Sequence, residues 1–343
     1  MFNRSERPAW GRLTGWIGLA LILLMLAACG SPSNDEAAAD PAPASTTEQT
    51  ATADTASETA TEPTEQAESA TRIVKTDNGD IEIPSSPQRL VVDEYYPSLL
   101  ALGVQPIGAP GLLTKNPYTE GLAGTVEDIG DYGSVSLEKV LSLKPDMIVT
   151  SNQDNYEAFS KIAPTVVIPY GELKNAHEEL TYLGELFGIE EKAAAWLDEY
   201  DKRIAAAKAK VDAAIPADAT FSIIEDIDKI PYAYGDNFGR GGQPVYQALG
   251  RKPPEDIAEQ IMDKQWMELS AELLPDYAGD YIILTSNKRT LEDLKADPIW
   301  NSLDAVKNDH VYVWKEERSW YYDPLAVLSQ TEELADWLVK TAK

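Results

Sequence analysis

The chain has 343 residues, with 29 basic and 57 acidic side chains, two histidines, one cysteine and a formal net charge of −28. So acidic a protein repels phosphates, which argues against nucleic acid and anionic lipid surfaces as partners and favours cationic or metal-bearing ligands or a basic protein. A single cysteine excludes an internal disulfide, and two histidines leave little for an imidazole-held metal.

Taken in chain order, Arg4, Arg7 and Arg12 precede an uncharged run from Leu13 to Ala28, and Leu26-Ala27-Ala28 sets small residues directly before Cys29. This predicts a bacterial lipoprotein signal peptide over 1–28, because the run is short of the roughly 20 residues a spanning helix needs. Lipidation of Cys29 would then hold the protein at the extracellular face of a cell membrane, since two acyl chains suffice for stable anchoring. Residues 29–71 follow as a disordered tether of Ala, Thr, Ser, Pro and Glu without one aromatic side chain, too polar to offset the entropy of ordering. The remaining head, from 72 onward, keeps 26 basic and 47 acidic residues, about −21.

Within the head, apolar runs bounded by turn residues predict strands over 89–93, 105–109, 144–151, 165–169, 220–225, 281–285 and 311–314. Helical spacing predicts helices over 97–102, over 174–213 with one break at Gly188, and over 324–342. This alternation is α/β twice over, two Rossmann-like lobes at 72–170 and 191–343 joined by a long rigid helix within 171–190. An internal echo supports the duplication. Ser136-Leu-Glu138 precedes Pro145-Asp146 and the run Met147 to Ser151, and Ser270-Ala-Glu272 precedes Pro275-Asp276 and the run Tyr281 to Ser286. In both, Ser is expected to cap a helix whose first turn carries Glu.

Catalytic motifs are scarce. The sequence has no Gly-x-Ser-x-Gly, His-Glu-x-x-His or Gly-x-x-x-x-Gly-Lys-Ser/Thr, and His177 and His310 lie in polar surroundings. A carboxylate-pair hydrolase stays open, since any two of many acidic residues could meet in space. What stands out is the loop from Pro231 to Gly242, with Tyr232, Tyr234, Phe238 and Arg240 among glycines, and Arg318-Ser-Trp320-Tyr321-Tyr322-Asp323-Pro324 before the last helix. Rings supply rigid apolar walls and Arg a planar donor fork, in connections where α/β folds build sites.

On Lys115-Asn-Pro-Tyr118, Leu137-Glu138 with Leu143-Lys-Pro-Asp146, Tyr234-Gly-Asp-Asn-Phe-Gly-Arg240, Tyr277-Ala-Gly-Asp-Tyr281 and Trp320-Tyr321 before Asp323-Pro324, the head resembles the iron–siderophore substrate-binding proteins of ABC importers. It is most similar to the Gram-positive hydroxamate-siderophore lipoproteins. The resemblance implies a class III periplasmic-binding-protein fold, a monomer without enzyme activity or cofactor, and a cleft built from Tyr95, Lys115, Tyr118, Tyr232, Tyr234, Phe238, Arg240, Arg318, Trp320 and Tyr321. It also implies that Glu138 and Glu272 dock on permease arginines, one per lobe. Hydroxamate relatives often carry Trp where this chain has Phe238, which keeps the ring and loses the N–H. A ferric tris-hydroxamate is near neutral and encloses its iron in six oxygens, so the protein need supply no metal ligand. A tris-catecholate carries about three negative charges and would call for a basic triad, for which Arg240, Arg318 and Lys115 are the candidates. Ferric citrate, cobalamin and haem receptors share the implied fold, and a secreted hydrolase is the alternative from another class.

Overall fold

In the computed structural model the described residues are 70–228 and 230–342, all within the compact unit Glu65–Lys343. The expected signal peptide, Cys29 and nearly all of the tether lie outside them. The first described element was not expected: Thr71–Thr76 and Gly79–Pro84 form an antiparallel hairpin around Asp77-Asn78. Its Ile83 joins the core of the first lobe, with Val74 and Ile81 packed alongside.

Two five-stranded sheets follow. The first is parallel throughout, in the order Glu127–Asp128, Gly108–Ala109, Leu90–Val92, Met147–Thr150, Thr165–Val167. Side chains alternate across a strand, so Leu90, Val92, Met147 and Val149 enter one core while Val91 and Ile148 enter the opposite one. Burial on both faces explains why these strands read as continuous apolar runs. The second sheet has the order Trp266–Glu268, Ile230–Tyr234, Phe221–Ile227, Tyr281–Thr285, Val311–Trp314. Ile224, Ile282 and Leu284 face one core, and Phe221, Ile223, Tyr281 and Ile283 the other. The echoed runs Met147–Thr150 and Tyr281–Thr285 occupy the same fourth place in their sheets, which supports a shared lobe plan.

The structure departs from expectation at three further places. Residues 230–234 are not loop: Ile230–Tyr234 runs antiparallel to Phe221–Ile227 and Trp266–Glu268, so the second sheet is mixed. The alternation of Ile230, Tyr232 and Tyr234 carried that strand, but Pro231 and the nearby glycines obscured it. The helix expected to join the lobes, Ala176–Phe187, stops at its expected break, where Gly188 takes a left-handed turn with φ 64°, but it stays within the first lobe. Its Leu180, Leu183, Leu186 and Phe187 all lie in the first lobe's core. The helix reaching both cores is the next one, Glu190–Ala214, with Ala193 in the first lobe and Ala207 and Val211 in the second. At 1.5 Å per residue it is about 37 Å long. Finally, Ser270 caps no helix. Its carbonyl accepts from Leu273 and Leu274 at 3.0 and 3.2 Å, and the helix there is only Leu274–Tyr277.

The closing helix Pro324–Thr341 begins as expected, with the Asp323 carboxylate accepting from the Leu325 and Ala326 amides at 3.1 and 3.0 Å. It lies along Glu190–Ala214, where Arg203 grips Glu332 through two hydrogen bonds of 2.8 and 2.6 Å.

Candidate functional site

The two sheets direct their carboxyl ends toward one cleft of about 310 Å³, near the lower end of the roughly 300–1,000 Å³ usual for small-molecule sites. Its second-lobe wall is organised around a buried carboxylate. Glu225, fully enclosed in the strand Phe221–Ile227, accepts from the Tyr234 hydroxyl at 2.5 Å, the Trp320 indole N–H at 2.6 Å and Arg240 Nε at 3.1 Å. A carboxylate in that environment requires such partners, since an unpaired buried charge costs several kcal/mol. The Arg240 guanidinium in turn lies 4.8 Å from the Tyr234 ring centre, 4.9 Å from Trp320 and 5.8 Å from Phe238. This places a cation in an aromatic cage.

The backbone strains to build this arrangement. Arg240 itself has φ 57°, between Gly239 at φ 72° and Gly241 at φ 98°. A Cβ at Gly239 would come within 2.6 Å of the Trp320 carbonyl oxygen, so only glycine allows the two loops to meet there. The Arg240 amide then donates to the Ser319 carbonyl at 2.6 Å. With Nε on Glu225 and Nη1 on the Phe238 carbonyl at 3.1 Å, Nη2 carries no hydrogen bond among the described residues. Arg240 therefore retains donors for a ligand.

The facing wall is acidic. Glu94 and Tyr95 follow the strand Leu90–Val92, Tyr95 in a left-handed conformation with φ 62°. Burial pushes the Glu94 carboxyl up to about 8, despite the Tyr132 hydroxyl donating to it, with Asp93 and Asp323 adding repulsion. Burial also pushes Glu179 up to about 8, against the Ser98 hydroxyl that donates to it, with the charges of Asp323 and Glu94 acting in the same direction as burial. Asp323, which accepts from Asn116 Nδ2 at 2.7 Å, is pushed up to about 6, again chiefly by burial. Across the cleft, the Tyr322 and Tyr170 hydroxyls meet at 2.9 Å.

Of the expected ligand contacts, Tyr95, Phe238, Arg240, Trp320 and Tyr321 line this cleft, and Tyr234 supports Arg240 from beneath. The others fall elsewhere. Lys115 is exposed at the end of the short helix Gly111–Thr114, away from the lining. Arg318 is paired with Glu333 at 2.7 Å and sits 5.1 Å from the Tyr118 ring, and Tyr118 donates to the Arg318 carbonyl at 3.1 Å. These two side chains join the lobes rather than face the cleft. Tyr232 turns to the sheet edge against Trp266, 6.3 Å between ring centres, with Glu268 as its acceptor at 3.3 Å. A basic triad of Arg240, Arg318 and Lys115 is therefore not assembled. Glu138 and Glu272 are both exposed, Glu138 in the first turn of a helix capped by Ser136 and Glu272 in a turn. Sequence reasoning missed Glu94, Glu179 and Glu225. Glu225 left a local signal, standing with Asp226 as a pair of charged residues inside a buried strand.

The chain matches the profile of the periplasmic binding protein family over residues 93–318. It is 36% identical to the iron(3+)-hydroxamate-binding protein YxeB of Bacillus subtilis over 332 residues, covering 95% of this chain and 96% of that one. Among solved structures it superposes on a FhuD-fold periplasmic binding protein component of a ferrichrome ABC transporter from Bacillus subtilis with a TM-score of 0.70 and 37% identity, covering 78% of this chain and 100% of that one. It also superposes on FhuD2 of Staphylococcus aureus with bound ferrioxamine B, TM-score 0.67 and 32% identity, covering 75% and 100% respectively. Two sheets with a ligand-sized cleft at their carboxyl ends, a helix shared by both cores and these matches lead to one conclusion: the chain belongs to the periplasmic binding protein family.

Proposed function

We propose that this protein captures a ferric siderophore of hydroxamate type at the outer face of the cell membrane and hands it to the permease of an ABC importer. Its head would be anchored through lipid on Cys29, and the exposed carboxylates Glu138 and Glu272 would meet arginines of the permease. The observation that carries the ligand class is the charge balance of the cleft. Its one lining arginine, Arg240, is already neutralised by Glu225, while Glu94, Glu179 and Asp323 face it. A tris-catecholate, with about three negative charges, would meet acid side chains and a single guanidinium already paired, where it needs free cations. A near-neutral tris-hydroxamate meets aromatic walls and the spare Nη2 donors, and its iron asks nothing of the protein. Named binding partners of the relatives, iron(3+)-hydroxamate for YxeB and ferrioxamine B for FhuD2, are consistent with this reading.

Trp320 lies against Arg240 in the cleft, so ligand binding is readable as quenching of intrinsic fluorescence. Saturable quenching by a ferric hydroxamate, with ferric catecholate, cobalamin and haem leaving the signal unsaturated, is the expected outcome. Saturation by one of the other three alone would overturn the assignment.

A further inference from the structure

Resting on the delivery step proposed above, we propose that exposed leucines collar the two docking glutamates, Leu137 and Leu141 around Glu138 on the first lobe and Leu273 beside Glu272 on the second, and that this surface takes permease arginines set in apolar surroundings. The helix Leu137–Ser142 buries only Val140. Leu137 and Leu141, four residues apart and so on one face, stay 46% and 58% exposed, and exposed Glu138 flanks both. On the second lobe Leu273, 44% exposed, directly follows exposed Glu272. None of these leucines lines the cleft or joins a core cluster.

Single apolar residues on a surface are ordinary, but these recur. One set precedes the strand Met147–Thr150 and the other precedes Tyr281–Thr285, the fourth strands of their sheets, so each lobe presents an acid with leucine at the same topological place. A repeated feature fits a partner that repeats its own basic site, as a two-arginine contact requires. A second copy of this chain would instead bring acid against acid. The leucines would act by excluding water. An exposed carboxylate–guanidinium pair is screened and worth little, whereas apolar neighbours that close over it at an interface lower the local dielectric and strengthen it. The collar is uneven, with two leucines on a helix in the first lobe and one on a turn in the second, so the first lobe carries the larger share of the contact.

The test measures uptake of radioiron-labelled ferrioxamine B by cells whose only copy of the full-length protein is wild type or a variant, at equal surface levels. Leu137→Ser/Leu141→Ser should melt and bind ferrioxamine B as the wild type does yet lower the initial uptake rate about tenfold, the scale of losing two apolar side chains from an interface, and Leu273→Ser should lower it less. Without the leucines, uptake should also become more sensitive to added salt than in the wild type, because the glutamates are then screened. Adding Glu138→Ala to the leucine pair should cost less than Glu138→Ala does alone, the coupling expected of neighbours in one contact. Normal uptake by the leucine variants, or leucine and glutamate losses that simply multiply, would overturn the collar while leaving delivery in place. Sedimentation of the wild-type protein as a dimer that the leucine variants dissociate would overturn it in favour of self-association. Failure of wild-type cells to take up ferrioxamine B would overturn the function on which it rests.

Discussion

Arg240 has two roles that one substitution cannot separate. It offers Nη2 to the cleft and balances Glu225, which is fully buried. Arg240→Ala leaves that carboxylate with only the Tyr234 and Trp320 donors, and breaking a buried pair typically costs about 3–5 kcal/mol. Denaturant unfolding should therefore show a large loss of stability. Arg240→Met combined with Glu225→Gln removes both charges and should recover much of it, while ferric hydroxamate affinity stays about ten- to a hundredfold down for the missing charged donor. Normal binding by this pair would remove Arg240 from the site. The cleft carboxyls make a second prediction. Glu94 and Glu179 titrate near 8 in the folded protein and near 4.5 when unfolded, so between those values the folded state binds more protons. Stability of the ligand-free protein then falls as pH rises from about 5 to about 9. Melting temperatures across that range should decline, and Glu179→Gln should flatten the slope. A rise over the same range, unaltered by the variant, would contradict the assignment. These acids were not legible in the sequence because Glu94 and Glu179 are brought together only by folding. Phe238, Arg240, Trp320 and Tyr321 were, because their rings and guanidinium crowd short loops.

At the scale of elements, long periodic segments were read well. The strand Tyr281–Thr285 stands where expected, Val311–Trp314 likewise, and the closing helix is displaced by a residue at most. Gly188 was correctly placed as a break, but a break does not say which of two adjacent helices crosses between lobes. Only the distribution of Ala193, Ala207 and Val211 between the cores decides that. The rigid connection accordingly belongs to Glu190–Ala214, which contains neither glycine nor proline to bend it. A second tie lies at the start of the closing helix, where Asn116 meets Asp323 at 2.7 Å and the Tyr321 hydroxyl reaches the Leu112 carbonyl at 3.1 Å. With a stiff helix and a hydrogen-bonded seam both joining the lobes, large hinge closure is suppressed. Solution scattering of free and ferric-siderophore-loaded protein should give nearly equal radii of gyration, and a clear contraction on loading would refute this rigidity.

For the whole molecule, capture and delivery should be separable. Glu138 and Glu272 touch no part of the cleft; an exposed carboxylate in a helix first turn, as at Glu138, contributes only ~0.3–1 kcal/mol, and Glu272 sits in an exposed turn with no helix start to complement. Replacing both by alanine should leave melting and siderophore affinity nearly unchanged yet abolish iron uptake by cells, because a docking surface without its charge associates slowly and weakly. Uptake at the normal rate would reduce these residues to solvated surface. The central claim, that the cleft between the lobes receives an iron already wrapped in hydroxamate oxygens, is tested most directly by locating the metal. Crystals grown with a ferric tris-hydroxamate, measured at the iron absorption edge, should show one anomalous peak inside the cleft, between the Arg240–Trp320 wall and Tyr95, with no protein atom in its coordination sphere. A peak bonded to protein carboxylates, or lying outside the cleft, would contradict the account.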